Sequence, residues 1–146
     1  MNNENILEIS GLSVSYGGIK AVKEINFVVP KGKIVTLIGA NGAGKSSTLR
    51  SIVGLEKPAQ GSILFQGEEL AGLPTDAIVS KGITLVPEGR RVFPNLSVLE
   101  NLKIGAYMRK EELTADIDWV CSLFPRLKER SWQKAGTLSG GEQQML

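Results

Sequence analysis

The sequence predicts an α/β domain that carries an antiparallel β appendage and a helical appendage. Three observations support this. A run of consecutive apolar residues, Ile34 to Ile38, leads through a glycine-rich loop into a helical pattern. Two stretches rich in β-branched residues come before it, separated by turn residues. Beyond Ser97 the periodicity becomes helical, and two capping sequences mark helix starts.

Taken in order, Ile6 to Tyr16 reads as a strand ended by Gly17-Gly18. Val22 to Val29 reads as a second, ended by Pro30 and the turn Lys31-Gly32. Ile34 to Ile38 is apolar at successive positions, the pattern of a strand buried on both faces in a parallel sheet. Gly39 to Gly44 is a loop. Ser46 to Leu55 is expected to form a helix with Leu49, Ile52 and Val53 on one face. Gly61 to Phe65 is a short strand before the turn Gln66-Gly67. Pro74 to Ser80 is a short helix opened by proline, and Ile83 to Val86 is a second buried strand. Ser97 with Glu100 forms a capping box ahead of Val98, Leu99, Leu102 and Ile104. Thr114 to Phe124 is a further amphipathic helix, and Ser139 with Glu142 opens a last one.

Composition narrows the function. A chain of 146 residues suffices for one domain with a real core. With 42% apolar and 22% charged residues it is globular. A net charge of +2 gives no reason to expect nucleic acid as a partner. The absence of histidine excludes His-based acid–base chemistry, a Ser-His-Asp triad and most zinc sites from these residues. Cys121 is the single cysteine, so no internal disulfide forms, and the expected setting is cytosolic or redox-indifferent. The opening Met1 to Asn5 is polar and acidic, unlike a secretory leader. The longest apolar stretches are too short to span a bilayer. Membrane association is therefore expected through a partner protein, without direct insertion.

Chemistry concentrates at Gly39-Ala-Asn-Gly-Ala-Gly-Lys-Ser46, which matches the phosphate-binding pattern G-x-x-x-x-G-K-[ST]. Gly39, Gly42 and Gly44 let backbone N–H groups converge on phosphate without a Cβ in the way. The following helix points its positive end at the same anion. Lys45 adds a cation for the terminal phosphates, and the Ser46 hydroxyl can ligate Mg²⁺. A plain turn-and-cap loop would need neither the lysine nor this glycine spacing.

The segment Leu138-Ser-Gly-Gly-Glu-Gln143 narrows the choice among nucleotide-binding proteins. It resembles the signature motif of ATP-binding cassette (ABC) ATPases. An ordinary capping box would look similar in isolation; its place behind a P-loop favours the signature. From Leu7 to Leu146 the chain resembles the N-terminal portion of an ABC nucleotide-binding domain. More narrowly it is similar to the LivF-like group, ATPase subunits of branched-chain amino-acid importers. The narrower likeness rests on Leu85-Val-Pro-Glu-Gly-Arg-Arg-Val-Phe-Pro94 and Leu96-Ser-Val-Leu-Glu-Asn-Leu102.

The resemblance implies a P-loop NTPase (RecA-like) parallel core with antiparallel β and helical subdomains. Residues 1–33 and 60–72 would form the β subdomain, 34–59 and 73–94 the core, 95–138 the helical subdomain, and 139–146 the start of the signature helix. It assigns ATP binding to Tyr16, as an adenine-stacking ring, and to the loop and helix start: Gly39, Asn41, Gly42, Ala43, Gly44, Lys45, Ser46 and Ser47. A core tyrosine at a strand end is the other reading of Tyr16. Glu88 falls where the family usually has the Q-loop glutamine, so an Mg²⁺ and water contact is implied for it beside Ser46, with a charge in place of a neutral oxygen. Pro87 rules out reading Ile83 to Glu88 as a Walker B strand. Ser139, Gly140, Gly141 and Glu142 would serve the nucleotide of a second ATPase subunit in trans. Arg90, Arg91, Phe93 and Pro94 would dock a permease subunit, or the arginines form a solvated charge pair. Lys45 and Glu88 are the catalytic candidates, with ATP and Mg²⁺ as cofactors. The implied location is cytoplasmic, peripheral at the inner face of the membrane through the permease.

A Walker B strand ending in Asp-Glu and a switch histidine are not found in these residues; none of Asp76, Asp116 and Asp118 follows an apolar strand. The expectation is that residues 1–146 alone do not hydrolyse ATP, and that the Ile34 to Ile38 strand keeps an exposed edge and marginal stability. A soluble non-transport ABC ATPase and a non-catalytic nucleotide-binding fragment are the competing readings.

Overall fold

The computed structural model describes residues 5–146; the polar opening, Met1 to Glu4, lies outside them. The described residues divide into a first unit ending at Leu85 and a second spanning Val86–Leu146.

In the first unit, strands β1 (Asn5–Tyr16) and β2 (Ile19–Pro30) form a hairpin around Gly17-Gly18. Both glycines have positive φ, 50° and 89°, the backbone that a tight hairpin turn requires. Strands β3 (Gln60–Phe65) and β4 (Glu68–Glu69) complete a four-stranded antiparallel sheet of order β2-β1-β3-β4. One face is apolar: Ile9, Leu12, Val14, Val22 and Ile63 pack with Ile52 of helix α1 (Lys45–Ile52) and Ile78 of helix α2 (Thr75–Ser80). Burying each such side chain stabilises by about 1.5–3 kcal/mol. Helix α1 stops before the expected Leu55 because Gly54 turns left-handed, with φ 73°, and Leu55 N–H bonds back to Arg50 O at 2.9 Å. Ile52 and Val53 are buried as expected, whereas Leu49 remains exposed.

In the second unit, helices α3 (Val98–Gly105), α4 (Thr114–Leu123), α5 (Pro125–Glu129) and α6 (Gly140–Met145) surround a small core of Val98, Leu127, Ala135 and Leu138. Both capping boxes are present: Ser97 with Glu100, and Ser139 with Glu142. Pro125 ends α4 one residue earlier than expected, since the residue before proline leaves the helical region.

Two strand expectations are corrected. Ile34 to Ile38 and Ile83 to Val86 lie outside every ladder, so the described residues contain no parallel pairing. Ile34 is 98% and Ile38 92% exposed, and Val86 is 80% exposed. A strand apolar on both faces is buried only when neighbours pair with its edges and cover its faces. The one sheet of the described residues is antiparallel and offers these segments no partner. The expected exposed edge at Ile34 to Ile38 is thus an unpaired segment on both sides.

Candidate functional site

In the first unit the glycine loop sits between the Ile34 to Ile38 segment and α1. Gly42 and Gly44 have φ of 84° and 87°, the left-handed region that side chains disfavour. Gly44 also presses against β2: a Cβ there would lie 2.5 Å from Ala21 O and 2.8 Å from Val22 Cγ2. Nothing lies within 4 Å of a Cβ position on Gly42. The two glycines therefore answer different needs. Gly44 allows the loop to pack on the sheet, and Gly42 keeps the loop's open side free of side chain.

Lys45 closes the loop. Its Nζ donates to Gly39 O and Ala40 O, both at 2.8 Å. Ala43 N–H donates to Ala40 O at 3.1 Å, and Thr48 donates both its N–H and its hydroxyl to Gly44 O at 2.9 Å. An ammonium has three donors, so the two carbonyl bonds leave it able to meet an anion. Ala21, Val22, Leu37, Gly42 and Lys45 line a cavity of about 390 Å³, within the range of small-molecule sites. Ser46 is exposed in the first turn of α1. Its hydroxyl is a hard oxygen of the kind Mg²⁺ accepts. Left-handed glycines, a lysine at the loop's mouth and this hydroxyl fit a phosphate–Mg²⁺ group.

Tyr16 ends β1 and donates its hydroxyl to Ser47 Oγ at 3.3 Å. It is 37% exposed, so it is not a core tyrosine. The structure thus brings Tyr16, Gly39, Asn41, Gly42, Ala43, Gly44, Lys45, Ser46 and Ser47 into one unit.

Glu88 and Ser139 to Glu142 belong to the second unit. Glu88 lies in a turn, where its carbonyl accepts from Arg91 Nε at 3.3 Å. No cluster of three or more His, Cys, Asp or Glu occurs among the described residues. The Ser139 Oγ accepts from Glu142 N–H at 3.4 Å, and Glu142 Oε2 accepts from Ser139 N–H at 2.9 Å. Glu142 Oε1 pairs with Arg130 Nε at 3.0 Å. Hydrogen bonds from Ser139, reinforced by the positive charges of Arg130 and Arg126, hold the Glu142 carboxyl below the usual carboxylate range.

Asn101 is a residue whose role sequence reasoning missed. Its Oδ1 accepts from Phe93 N–H at 2.8 Å, while Nδ2 donates to Phe93 O at 3.1 Å and Ser97 O at 2.8 Å. One amide side chain thus shapes the whole Phe93 to Ser97 loop. The available signal was a poor helix former one turn inside a helix, where asparagine usually bonds to backbone.

With this geometry in view, comparison with known proteins is specific. The family described as ABC transporter matches residues 22–146. The high-affinity branched-chain amino acid transport ATP-binding protein BraG of Pseudomonas aeruginosa is 53% identical over 97% of this chain and 61% of its own length. The probable branched-chain amino acid transport ATP-binding protein LivF of Archaeoglobus fulgidus is 40% identical over 92% of this chain and 58% of its own. An ATP-binding cassette of an ABC transporter, solved in its ADP conformation, superposes with a TM-score of 0.77 at 25% identity over 97% of this chain and 61% of that one. The chain spans about 60% of the length of the relatives it matches. No helix among the described residues is long and apolar enough to cross a membrane. A glycine loop held by its own lysine, a capped turn at Ser139 and a family match over most of the sequence lead to one conclusion: this chain belongs to the ABC transporter family of ATP-binding cassettes.

Proposed function

We propose that the protein is the ATP-binding subunit of an ABC importer for branched-chain amino acids, coupling ATP binding and hydrolysis to transport. The observation that carries this reading is the loop Gly39 to Ser46, open at Gly42 and closed by Lys45, in a chain 53% identical to a subunit of that description. In the proposed site the loop amides and Lys45 bind the β- and γ-phosphates, while Ser46 offers an oxygen to Mg²⁺; the Mg²⁺ contact of Glu88 rests on the family resemblance alone. Mg²⁺ held there would neutralise charge on the phosphates. Asn41, Ala43 and Ser47 complete the phosphate contacts, and Tyr16 covers the adenine. Ser139, Gly140, Gly141 and Glu142 close over the nucleotide of a second ATPase subunit. Permease subunits hold the pair at the cytoplasmic membrane face. The division into β, core and helical subdomains is part of the same proposal.

Tyr16 supplies a graded test. Stacking needs a ring and not the hydroxyl, whose bond to Ser47 is exposed and long. In the full-length parent, Tyr16→Ala is expected to weaken ATP binding by about 1 kcal/mol, roughly fivefold, while Tyr16→Phe and Tyr16→Trp bind as the parent does. Equal affinity across all of them in a calorimetric titration removes the stacking role.

The composite arrangement is tested by mixing two full-length variants, Ser139→Arg and Lys45→Ala. Their mixed dimer holds one intact site and one doubly damaged site. ATPase activity above that of either variant alone is the expected result. A mixture no more active than its components contradicts the arrangement in trans.

A further inference from the structure

The segment Arg90 to Ser97 is laid along residues 133–140 within the second unit. Gly136 N–H donates to Pro94 O and Ala135 N–H to Leu96 O, both at 2.9 Å, and Val98 N–H donates to Gln133 O at 3.0 Å. Two glycines make this approach possible. A Cβ on Gly136 would lie 2.9 Å from Pro94 Cβ and 3.0 Å from Pro94 O. A Cβ on Gly140 would lie 2.5 Å from Arg90 Nη1 and 3.0 Å from its Cζ. Pro94 and Arg90 thus each sit on a bare α-carbon, one on either side of the Ser139 turn.

Arg90 reaches Gly140 from an unusual backbone. Its φ is 50°, left-handed for a residue with a Cβ, directly after Gly89 at 85°. Such a conformation costs about 1–3 kcal/mol and persists where surrounding contacts fix it. On the other side of the turn, Arg130 holds Glu142 and Gln143 Nε2 donates to Ala135 O at 3.1 Å. The turn that presents Ser139 is therefore gripped from both sides.

We propose that Arg90 is a positioning residue for the signature turn: its guanidinium, seated on Gly140, sets where Ser139 is presented to the nucleotide of the opposite subunit. This rests on the composite-site reading above and extends it to a residue outside the signature. Because the effect falls on the turn, removing Arg90 damages the partner's site and leaves its own P-loop intact.

That direction of action supplies the test. In the full-length subunit, Arg90→Ala is expected to lower ATP turnover at least about fivefold without lowering the melting temperature, since Arg90 is exposed. Arg90→Gly, which relieves the left-handed backbone, guards against misfolding and is expected to behave alike. Mixed with Lys45→Ala, each Arg90 variant should regain activity as Ser139→Arg does, because one site of the mixed dimer is whole. Recovery with Ser139→Arg but not with the Arg90 variants places Arg90 on its own chain's P-loop and overturns the inference. Turnover of both Arg90 variants within twofold of the parent overturns it as well. Failure of both kinds of mixture removes the composite-site reading, and this inference falls with it.

Discussion

Lys45→Ala in the full-length parent is expected to lower ATP turnover by at least ~100-fold and to weaken ATP binding. Two effects combine. The ammonium is the cation proposed to meet the transferred phosphoryl group, and removing one such positioned group typically costs 10²–10³ in rate. It is also the clamp of the loop, bonding Gly39 O and Ala40 O at 2.8 Å each. Without it both carbonyls lose a charge-assisted bond, and the loop's preorganisation weakens. Because the lysine is not part of either apolar core, the melting temperature should change little. A phosphate-release assay giving turnover within about twofold of the parent, only ~0.4 kcal/mol of barrier, shows that Lys45 is not the catalytic cation.

Gly44→Ala should be the most damaging single methyl in the loop. The new Cβ would stand 2.5 Å from a backbone oxygen of β2, at a φ of 87° that alanine disfavours. Backbone strain alone costs about 1–3 kcal/mol, and the overlap adds to it because Ala21 O cannot rotate away. A loss near 3 kcal/mol corresponds to a fall in melting temperature on the order of 10 °C for a full-length chain of this class. Gly42→Ala shares the left-handed backbone, φ 84°, without the overlap. It is expected to cost less than half as much stability while still impeding phosphate. Thermal unfolding of the two variants checks this: equal shifts mean that packing of Gly44 on β2 is not what the glycine provides.

The contrast between these glycines shows what the sequence could and could not reveal. Spacing alone marks Gly39, Gly42 and Gly44 as a set, but which one touches the sheet depends on where β2 runs. Local signals are legible in the sequence alone. The capping boxes at Ser97 and Ser139 depend on two residues a turn apart, and the hairpin turn on two adjacent glycines, so both are legible without tertiary context. Apolar runs are less legible. Ile34 to Ile38 has the composition of a buried parallel strand, but burial belongs to neighbours and not to the run itself. Among residues 5–146 no strand pairs with it, and Ile34 and Ile38 stand 98% and 92% exposed. Asn101, and the contact of Arg90 with Gly140 in place of the docking role expected for that arginine, escaped for a related reason. These are contacts with loop carbonyls and with Gly140, which no periodicity encodes.

The function proposed for this chain is to support uptake of branched-chain amino acids through ATP bound at Gly39 to Ser46. It is tested most directly by measuring uptake of labelled leucine, isoleucine and valine in source cells whose gene has been deleted and then replaced. Uptake is expected to fall on deletion, return with the full-length parent and stay low with Lys45→Ala. Uptake unaffected by the deletion, or restored equally by Lys45→Ala, would contradict it.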